Sequence, residues 1–210
     1  MISPNAEEQH RLFAMSLFER VLSSFGYRRI CGIDEAGRGP LAGPVVAAAV
    51  IFPSGFAIPG LRDSKLLTPL QRETLFSQIF EKALSVGIGI IDSDLIDKVN
   101  ILQATILAMQ RSLDQLLVKP DYLLIDALTL PGLSIGQKGI IHGDNLSVSI
   151  AAASVIAKVT RDRLMRQYHG EFPEYRFDTH KGYGTHQHLE KIRQFGPCRL
   201  HRRTFRGVIQ

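Results

Sequence analysis

The chain has 210 residues, 45% of them hydrophobic and 21% charged, which describes one ordinary folded domain and excludes a disordered chain. The longest apolar stretch, residues 41–52, contains Gly43 and Pro44 and is too short to span a bilayer. Cys31 and Cys198 form no C-x-x-C pair, and Glu7, Glu8 and Glu19 interrupt any secretory signal, so a cytoplasmic (cytosolic) location is expected.

The formal charge of +5 is unevenly spread: residues 151–210 carry 12 Lys/Arg against 5 Asp/Glu, and residues 1–150 carry 13 against 15. A basic end region suits a polyanion, and it suits plain solubility too. In chain order, the spacing of Leu12, Met15, Phe18, Leu22 and Phe25 predicts a helix over 6–25. Residues 28–34 and 44–52 read as strands, the second rich in Val and Ala, with a turn at Pro53-Ser54-Gly55. Thr68-Pro69, with Gln71 completing a capping box, opens a helix that reaches about Leu84. Residues 86–91 alternate glycine with apolar residues and read as a strand. Ser93 and Asn100 are suited to cap two successive helical pieces ending near Leu117. Strands follow over 122–126 and 137–142, then a long helix over 146–168 and a shorter one over 186–194, stopped by Gly196. Five strands with interleaved helices make one α/β domain with a mixed sheet. Its core is expected over about 28–170, with a helical, basic extension over 171–210.

The carboxylates are not scattered. Asp34 and Glu35 end the first strand and are followed at once by Gly37-Arg38-Gly39, and Asp126 ends the fourth strand. If those strands are parallel neighbours, their C-terminal ends share one sheet edge, where α/β proteins place their sites. Asp144, at the mouth of the long helix, falls within reach of the same edge. Four oxygen donors converging there would bind a hard cation such as Mg²⁺ or Mn²⁺. Singly, Asp144 reads more readily as a helix-terminal charge and Asp126 as a turn residue. A strand-end Asp-Glu pair beside glycines is harder to place without a cation, because adjacent carboxylates repel.

Other patterns point elsewhere. Gly37, Gly39 and Ala42 fit the G-x-G-x-x-A dinucleotide fingerprint. Pro44, however, would fall inside the helix that motif requires, and Asp34 and Glu35 would repel a pyrophosphate. On the long helix, Ser147, Ala151, Ser154, Lys158 and Arg161 follow 4-3-4-3 spacing beside an apolar face of Val148, Ala152, Val155 and Val159. The first face extends roughly 21 Å, enough to meet several phosphates, though a solvated polar face has the same pattern. His180, His186 and His188 have no cysteine near them and fit no familiar zinc spacing.

The run D-E-A-G-R-G-P-L-A-G-P-V at 34–45 resembles the signature of the ribonuclease HII family, the bacterial type 2 ribonucleases H. Asp63-Ser64-Lys65, S-I-A-A-A-S-V-I-A-K-V-T-R-D at 149–162 and H-K-G-Y-G-T at 180–185 stand in that family's order, so the resemblance spans about residues 28–195. It implies a ribonuclease H-like fold, a five-stranded mixed sheet flanked by helices with a short C-terminal helical region. The activity it implies is metal-dependent hydrolysis of RNA in RNA/DNA hybrids and at ribonucleotides embedded in duplex DNA, leaving 3′-hydroxyl and 5′-phosphate ends. The family's four metal-binding carboxylates fall on Asp34, Glu35, Asp126 and Asp144, where a pair of Mg²⁺ or Mn²⁺ ions is expected. Asp34, ending a central strand, is best placed to bridge both ions. The ribose-reading glycine–arginine–glycine falls on Gly37, Arg38 and Gly39, and the junction-sensing tyrosine on Tyr183. Further substrate contacts are expected from Lys65, Ser154, Lys158 and Arg161, and the protein is expected to act as a monomer away from membranes. The chain departs from the pattern where Ala127 follows Asp126, a place for a small turn residue such as glycine, and where Asn145 follows Asp144 in place of serine or alanine. Two other classes fit the residues alone: a nucleic-acid-binding protein with purely structural carboxylates, and a nuclease of the same fold acting only on DNA. Cation-dependent cleavage and a duplex with one ribonucleotide tell them apart.

Overall fold

The run VVAAAVI at Val45–Ile51 is buried at every position, as a strand covered on both faces must be. A computed structural model, which describes residues 6–209, places it inside a five-stranded sheet. The strands are β1 (Ile30–Ala36), β2 (Val45–Ile51), β3 (Ser85–Ile91), β4 (Tyr122–Asp126) and β5 (Gly136–Ile140), in the order β3-β2-β1-β4-β5. β2 is antiparallel to β1 and β3, while β1–β4 and β4–β5 are parallel, so the sheet is mixed and β1 lies at its centre.

Helices cover both faces. Before the sheet come α1 (Ala6–Met15) and α2 (Leu17–Ser24); then α3 (Pro69–Lys82), α4 (Ser93–Val99) and α5 (Ile101–Asp114). After β5 come α6 (Gly143–Leu146), α7 (Val148–Glu171), α8 (Phe177–His180) and α9 (His186–Phe195). The two-residue period of β2 divides the core: Ala48 and Val50 pack with α7 and α3, while Val45, Ala47, Ala49 and Ile51 pack with α4 and α5. The glycines of β3 explain themselves here. A Cβ on Gly87 or Gly89 would stand 2.0 Å from Ser112 O or 1.9 Å from Ala108 O, so α5 lies directly on the strand backbone. Gly32 of β1 does the same for α7, with Ser149 C 2.0 Å from a would-be Cβ. No helix among the described residues is long and apolar enough to cross a membrane.

Several boundaries differ from the sequence reading for local reasons. The helix expected over 6–25 is two helices, interrupted at Ser16, whose hydroxyl bonds back to the Phe13 carbonyl. Asp92, not Ser93, caps α4 by accepting the Leu95 N–H; Ser93 is buried and donates to the Arg199 carbonyl. Asn100 does cap α5, and the capping box of Thr68 and Gln71 is formed in full. The long helix starts at Val148 because Ser147 caps it, accepting the Ile150 N–H. Asp144 therefore belongs to the separate short turn α6.

Candidate active site

Parallel pairing of Ile33 with Ile125 sets Asp34 beside Asp126 at the C-terminal ends of β1 and β4. Asp34 is 5% exposed, and its Oδ1 accepts the Glu35 N–H at 2.7 Å. Asp126 Oδ1 accepts the Gly143 N–H at 2.8 Å, which draws the start of α6, and Asp144 with it, to the same sheet edge. Asp144 is itself buried; its Oδ2 lies 3.4 Å from Lys65 Nζ, and Asn145 donates to its Oδ1 at 3.1 Å. The unexpected asparagine thus orients the acid and leaves it in place. Ala127 takes a left-handed φ of 51°, the conformation for which a glycine is the easier choice.

The four acids feel one another. Burial, then the charges of Glu35, Asp126 and Asp144, push the Asp34 carboxyl well above the usual carboxylate range. Burial also raises Glu35, against the pull of Arg38, with Asp126 adding to the rise. One Glu35 oxygen, Oε2, is buried with no hydrogen-bond partner. Burial works against the Lys65 ammonium, but the carboxylates of Asp63 and Asp144 outweigh it and hold its pKa above the ordinary value. Excess buried negative charge, a bare carboxylate oxygen and an all-oxygen donor set fit hard divalent cations. No three His, Cys, Asp or Glu side chains among the described residues close around one point as a finished cage.

One open cleft is lined by Asp34, Glu35 and Asp126 together with Gly37, Arg38, Gly39, Lys65, Ser154, Lys158, Arg161 and Tyr183. Of the twelve candidate positions only Asp144 lies behind that lining, beneath Lys65. Tyr183 is 46% exposed, and a Cβ on Gly39 would stand 3.8 Å from its ring, with nothing nearer. Ring and glycine loop thus adjoin as one wall of the cleft. Gly182 brings the tyrosine there: with φ 84° and Ala42 O 2.4 Å from a would-be Cβ, it packs backbone on backbone.

The polar face of the long helix needs correcting. Ser147 and Ala151 are fully buried, and the Ser154 hydroxyl donates to Ser64 Oγ at 2.7 Å while accepting the Ser64 N–H, so it braces the 63–66 turn. Arg161 is 1% exposed and donates to the carbonyls of Pro44, Lys181 and Ala42 at 2.9, 3.0 and 3.1 Å. Burial pushes its pKa down to about 10. Three of its five N–H donors are held by loop carbonyls and the side chain is buried, so it is no free phosphate contact. Lys158 is half-buried and paired with Asp162 at 2.7 Å. Sequence reasoning missed Arg202, wholly buried with four hydrogen bonds to loop carbonyls, and the cluster of His180, His188 and His201. Cys198 N–H bonds to His201 Nδ1 and His188 Nδ1 bonds to Tyr183 O, so the His201 Nε2–H donates to His188 Nε2 at 3.1 Å. Both rings are thereby neutral, with burial lowering each pKa to about 4. His186 stands apart, exposed beside Glu190.

Comparison with known proteins agrees with this geometry. The ribonuclease HII family model matches residues 31–208. The chain is 57% identical over 191 residues to the ribonuclease HII of Geotalea uraniireducens, covering 91% of this chain and 88% of that one. It is 58% identical over 191 residues to that of Syntrophotalea carbinolica, covering 91% of each. Among solved structures, the ribonuclease H2 of Pyrococcus horikoshii OT3 superposes with a TM-score of 0.72 at 28% identity, over 86% of this chain and 95% of that one. Bst-RNase HIII in complex with Mn²⁺, at 19% identity, shares the fold with a TM-score of 0.68 over 89% of this chain and 70% of that one. Sequence, sheet order and the acid cluster at one sheet edge lead to one assignment: the chain belongs to the ribonuclease HII family of metal-dependent endoribonucleases.

Proposed function

We propose that the cleft hydrolyses the RNA strand of RNA/DNA hybrids and cuts at single ribonucleotides embedded in duplex DNA, with Asp34, Glu35, Asp126 and Asp144 holding two Mg²⁺ or Mn²⁺ ions. The observation that carries the reading is the meeting of two unlike features in one cleft: buried carboxylates in excess of the cations beside them, and a half-exposed tyrosine beside a bare glycine loop. Bound by these acids, divalent cations would lower the pKa of an attacking water and stabilise the departing oxygen.

The chain's own residues supply the rest. Asp34 and Asp126 are fixed by rigid strands and by backbone N–H groups, so their carboxylates need little rearrangement to act as ligands. Lys65 is exposed at the rim and sits on Asp144; in the loaded site its ammonium is free to turn to a phosphate. Arg38, half-exposed and loosely paired with Glu35 at 3.4 Å, is the second mobile cation at the rim. Tyr183 offers a flat face to a sugar and a hydroxyl to a 2′-OH, the group that separates RNA from DNA. Lys158 faces the cleft farther out, where a backbone phosphate would compete with Asp162 for it.

Three end-labelled duplexes test this: an RNA/DNA hybrid, a DNA duplex with one ribonucleotide and an all-DNA duplex, each with Mg²⁺, Mn²⁺ or chelator. The reading expects the first two to be cut, only with a cation and with 3′-hydroxyl ends. Cleavage of the all-DNA duplex at a similar rate, or cleavage in chelator, would overturn it.

A further inference from the structure

Arg202 is the last residue one would expect to find inside the protein. It lies in a basic C-terminal run with Arg199, Arg203 and Arg206, yet it has no exposed surface. Its Nε donates to Gly43 O at 3.0 Å, Nη1 to Arg38 O at 2.9 Å, and Nη2 to Gly37 O and Gly43 O at 2.6 and 2.8 Å. One guanidinium therefore ties both ends of the loop 37–43 to each other. The segment around it is stitched to the same loop: Gly43 N–H bonds to Leu200 O, Arg202 N–H to Leu41 O, and Ala42 pairs with His201.

These partners are carbonyl oxygens and carry no countercharge. Burial, with the nearby positive charge of Arg161, brings the Arg202 pKa down to about 9. Two buried guanidiniums beneath one loop are an expensive way to hold it in place, which makes the shape they impose worth reading.

A trans peptide sets that shape. In a planar trans unit the C=O and the following N–H point in opposite directions, and no peptide bond among the described residues is cis. With the carbonyls of Gly37 and Arg38 turned inward to Arg202, the N–H groups of Arg38 and Gly39 must point the other way, toward the cleft these residues line. Neither N–H meets an acceptor among the described residues. Two successive free amides, facing out beside Tyr183, form a donor pair for an oxygen of the substrate.

We propose that Arg202 is a positioning residue for sugar recognition: by holding the Gly37, Arg38 and Gly43 carbonyls it presents the Arg38 and Gly39 amides to the ribonucleotide. The inference rests on the reading that this cleft takes a ribonucleotide-containing strand. Arg202 touches neither substrate nor metal, so its effect belongs to the turnover of bound substrate rather than to cation binding or duplex affinity. Lysine, which keeps the charge and some donors but lacks the planar fork, should serve partly; methionine, of similar length with no donors, should not.

The test compares the full-length parent, Arg202→Lys and Arg202→Met on a DNA duplex with one ribonucleotide. It measures the single-turnover rate and KM, together with the melting-temperature rise on adding Mn²⁺ and the Kd for an all-DNA duplex. Misplacement by about 1 Å can cost around a hundredfold in rate. The expected result is a rate loss of about tenfold for Arg202→Lys and about a hundredfold for Arg202→Met. KM, the Mn²⁺ response and the all-DNA Kd should stay within about twofold of the parent. Parental rates in folded variants would overturn the proposal, and so would equal loss of rate, Mn²⁺ response and affinity. Failure of both variants to fold would assign Arg202 to stability alone and also overturn it. A parent that leaves the ribonucleotide duplex uncut refutes the functional reading instead, which keeps the two failures distinct.

Discussion

Replacing Asp34 by asparagine should stabilise the cation-free protein and erase its response to divalent cations. Asp34 and Asp126 stand one residue past the Ile33–Ile125 pair on adjacent parallel strands, and adjacent strands lie about 4.8 Å apart. Two unit charges about 5 Å apart repel by roughly 3 kcal/mol at an effective dielectric of 20 and by under about 1 kcal/mol in bulk water. Asp34 is nearly buried, its carboxyl is raised by burial and by three neighbouring acids, and asparagine keeps the oxygen that accepts the Glu35 N–H. Removing the charge should therefore gain about 1–3 kcal/mol, or roughly 2–12 °C in Tm for a chain this long. A cation at 100 times its Kd would stabilise the parent by about 2.7 kcal/mol, and the variant should lose that rise. Thermal melts in chelator and in saturating Mn²⁺ measure both effects. An Asp34→Asn protein that melts lower than the parent in chelator, or a parent unmoved by Mg²⁺ and Mn²⁺, would refute the electrostatic reasoning.

Tyr183→Ala should keep the parental Tm and lose most cleavage at a single ribonucleotide, while Tyr183→Phe keeps part of the rate; an early-melting Tyr183→Ala would return the ring to a packing role. His188 and His201 are neutral in the fold, with values of about 4 against 6.5 unfolded, so the unfolded chain takes up protons first. Their contribution is intact above about pH 6.5 and is lost as pH falls toward 4, by roughly 1–2 kcal/mol per ring at pH 5. NMR titration of the two imidazoles reads this directly, because the raised Asp34 and Glu35 carboxyls act in the opposite sense on overall stability; rings that protonate near 6.5 in the folded protein would contradict it. Gly32→Ala forces a Cβ into the α7 backbone and should destabilise by about 1–3 kcal/mol or more. Gly39→Ala meets only ordinary contact, so it should melt like the parent yet cut poorly. The reverse pattern in the melts would break the assignment of tight packing to one glycine and substrate space to the other.

What was legible in the sequence follows from how local each signal is. Strand β2 announced itself by an unbroken apolar run, β3 by its alternating glycines and α3 by its capping box, because each is written in adjacent residues. The acids were legible for the same reason: Asp34, Glu35 and Asp126 end strands whose periods are short and clear. Arg161 and Arg202 were not, since a basic residue on a helix stripe or in a basic tail looks solvated. Their burial depends on carbonyls of a loop that lies 117 or more residues away. The histidine cluster escaped likewise: His188 and His201 meet only because α9 and the 198–202 segment fold onto one apolar cluster with Tyr175 and Phe177. The sequence sets His180, His186 and His188 side by side and carries no sign that His201 joins them.

The most direct measurement is cation-dependent cleavage of a DNA duplex carrying one ribonucleotide by the parent, Asp34→Asn and Asp126→Asn, with duplex affinity recorded alongside. The account expects the parent to cut beside the ribonucleotide only when Mg²⁺ or Mn²⁺ is present, and both variants to bind the duplex as well as the parent without cutting it. Either variant retaining activity within about tenfold of the parent at saturating Mg²⁺ would contradict the claim that these strand-end carboxylates hold the catalytic ions.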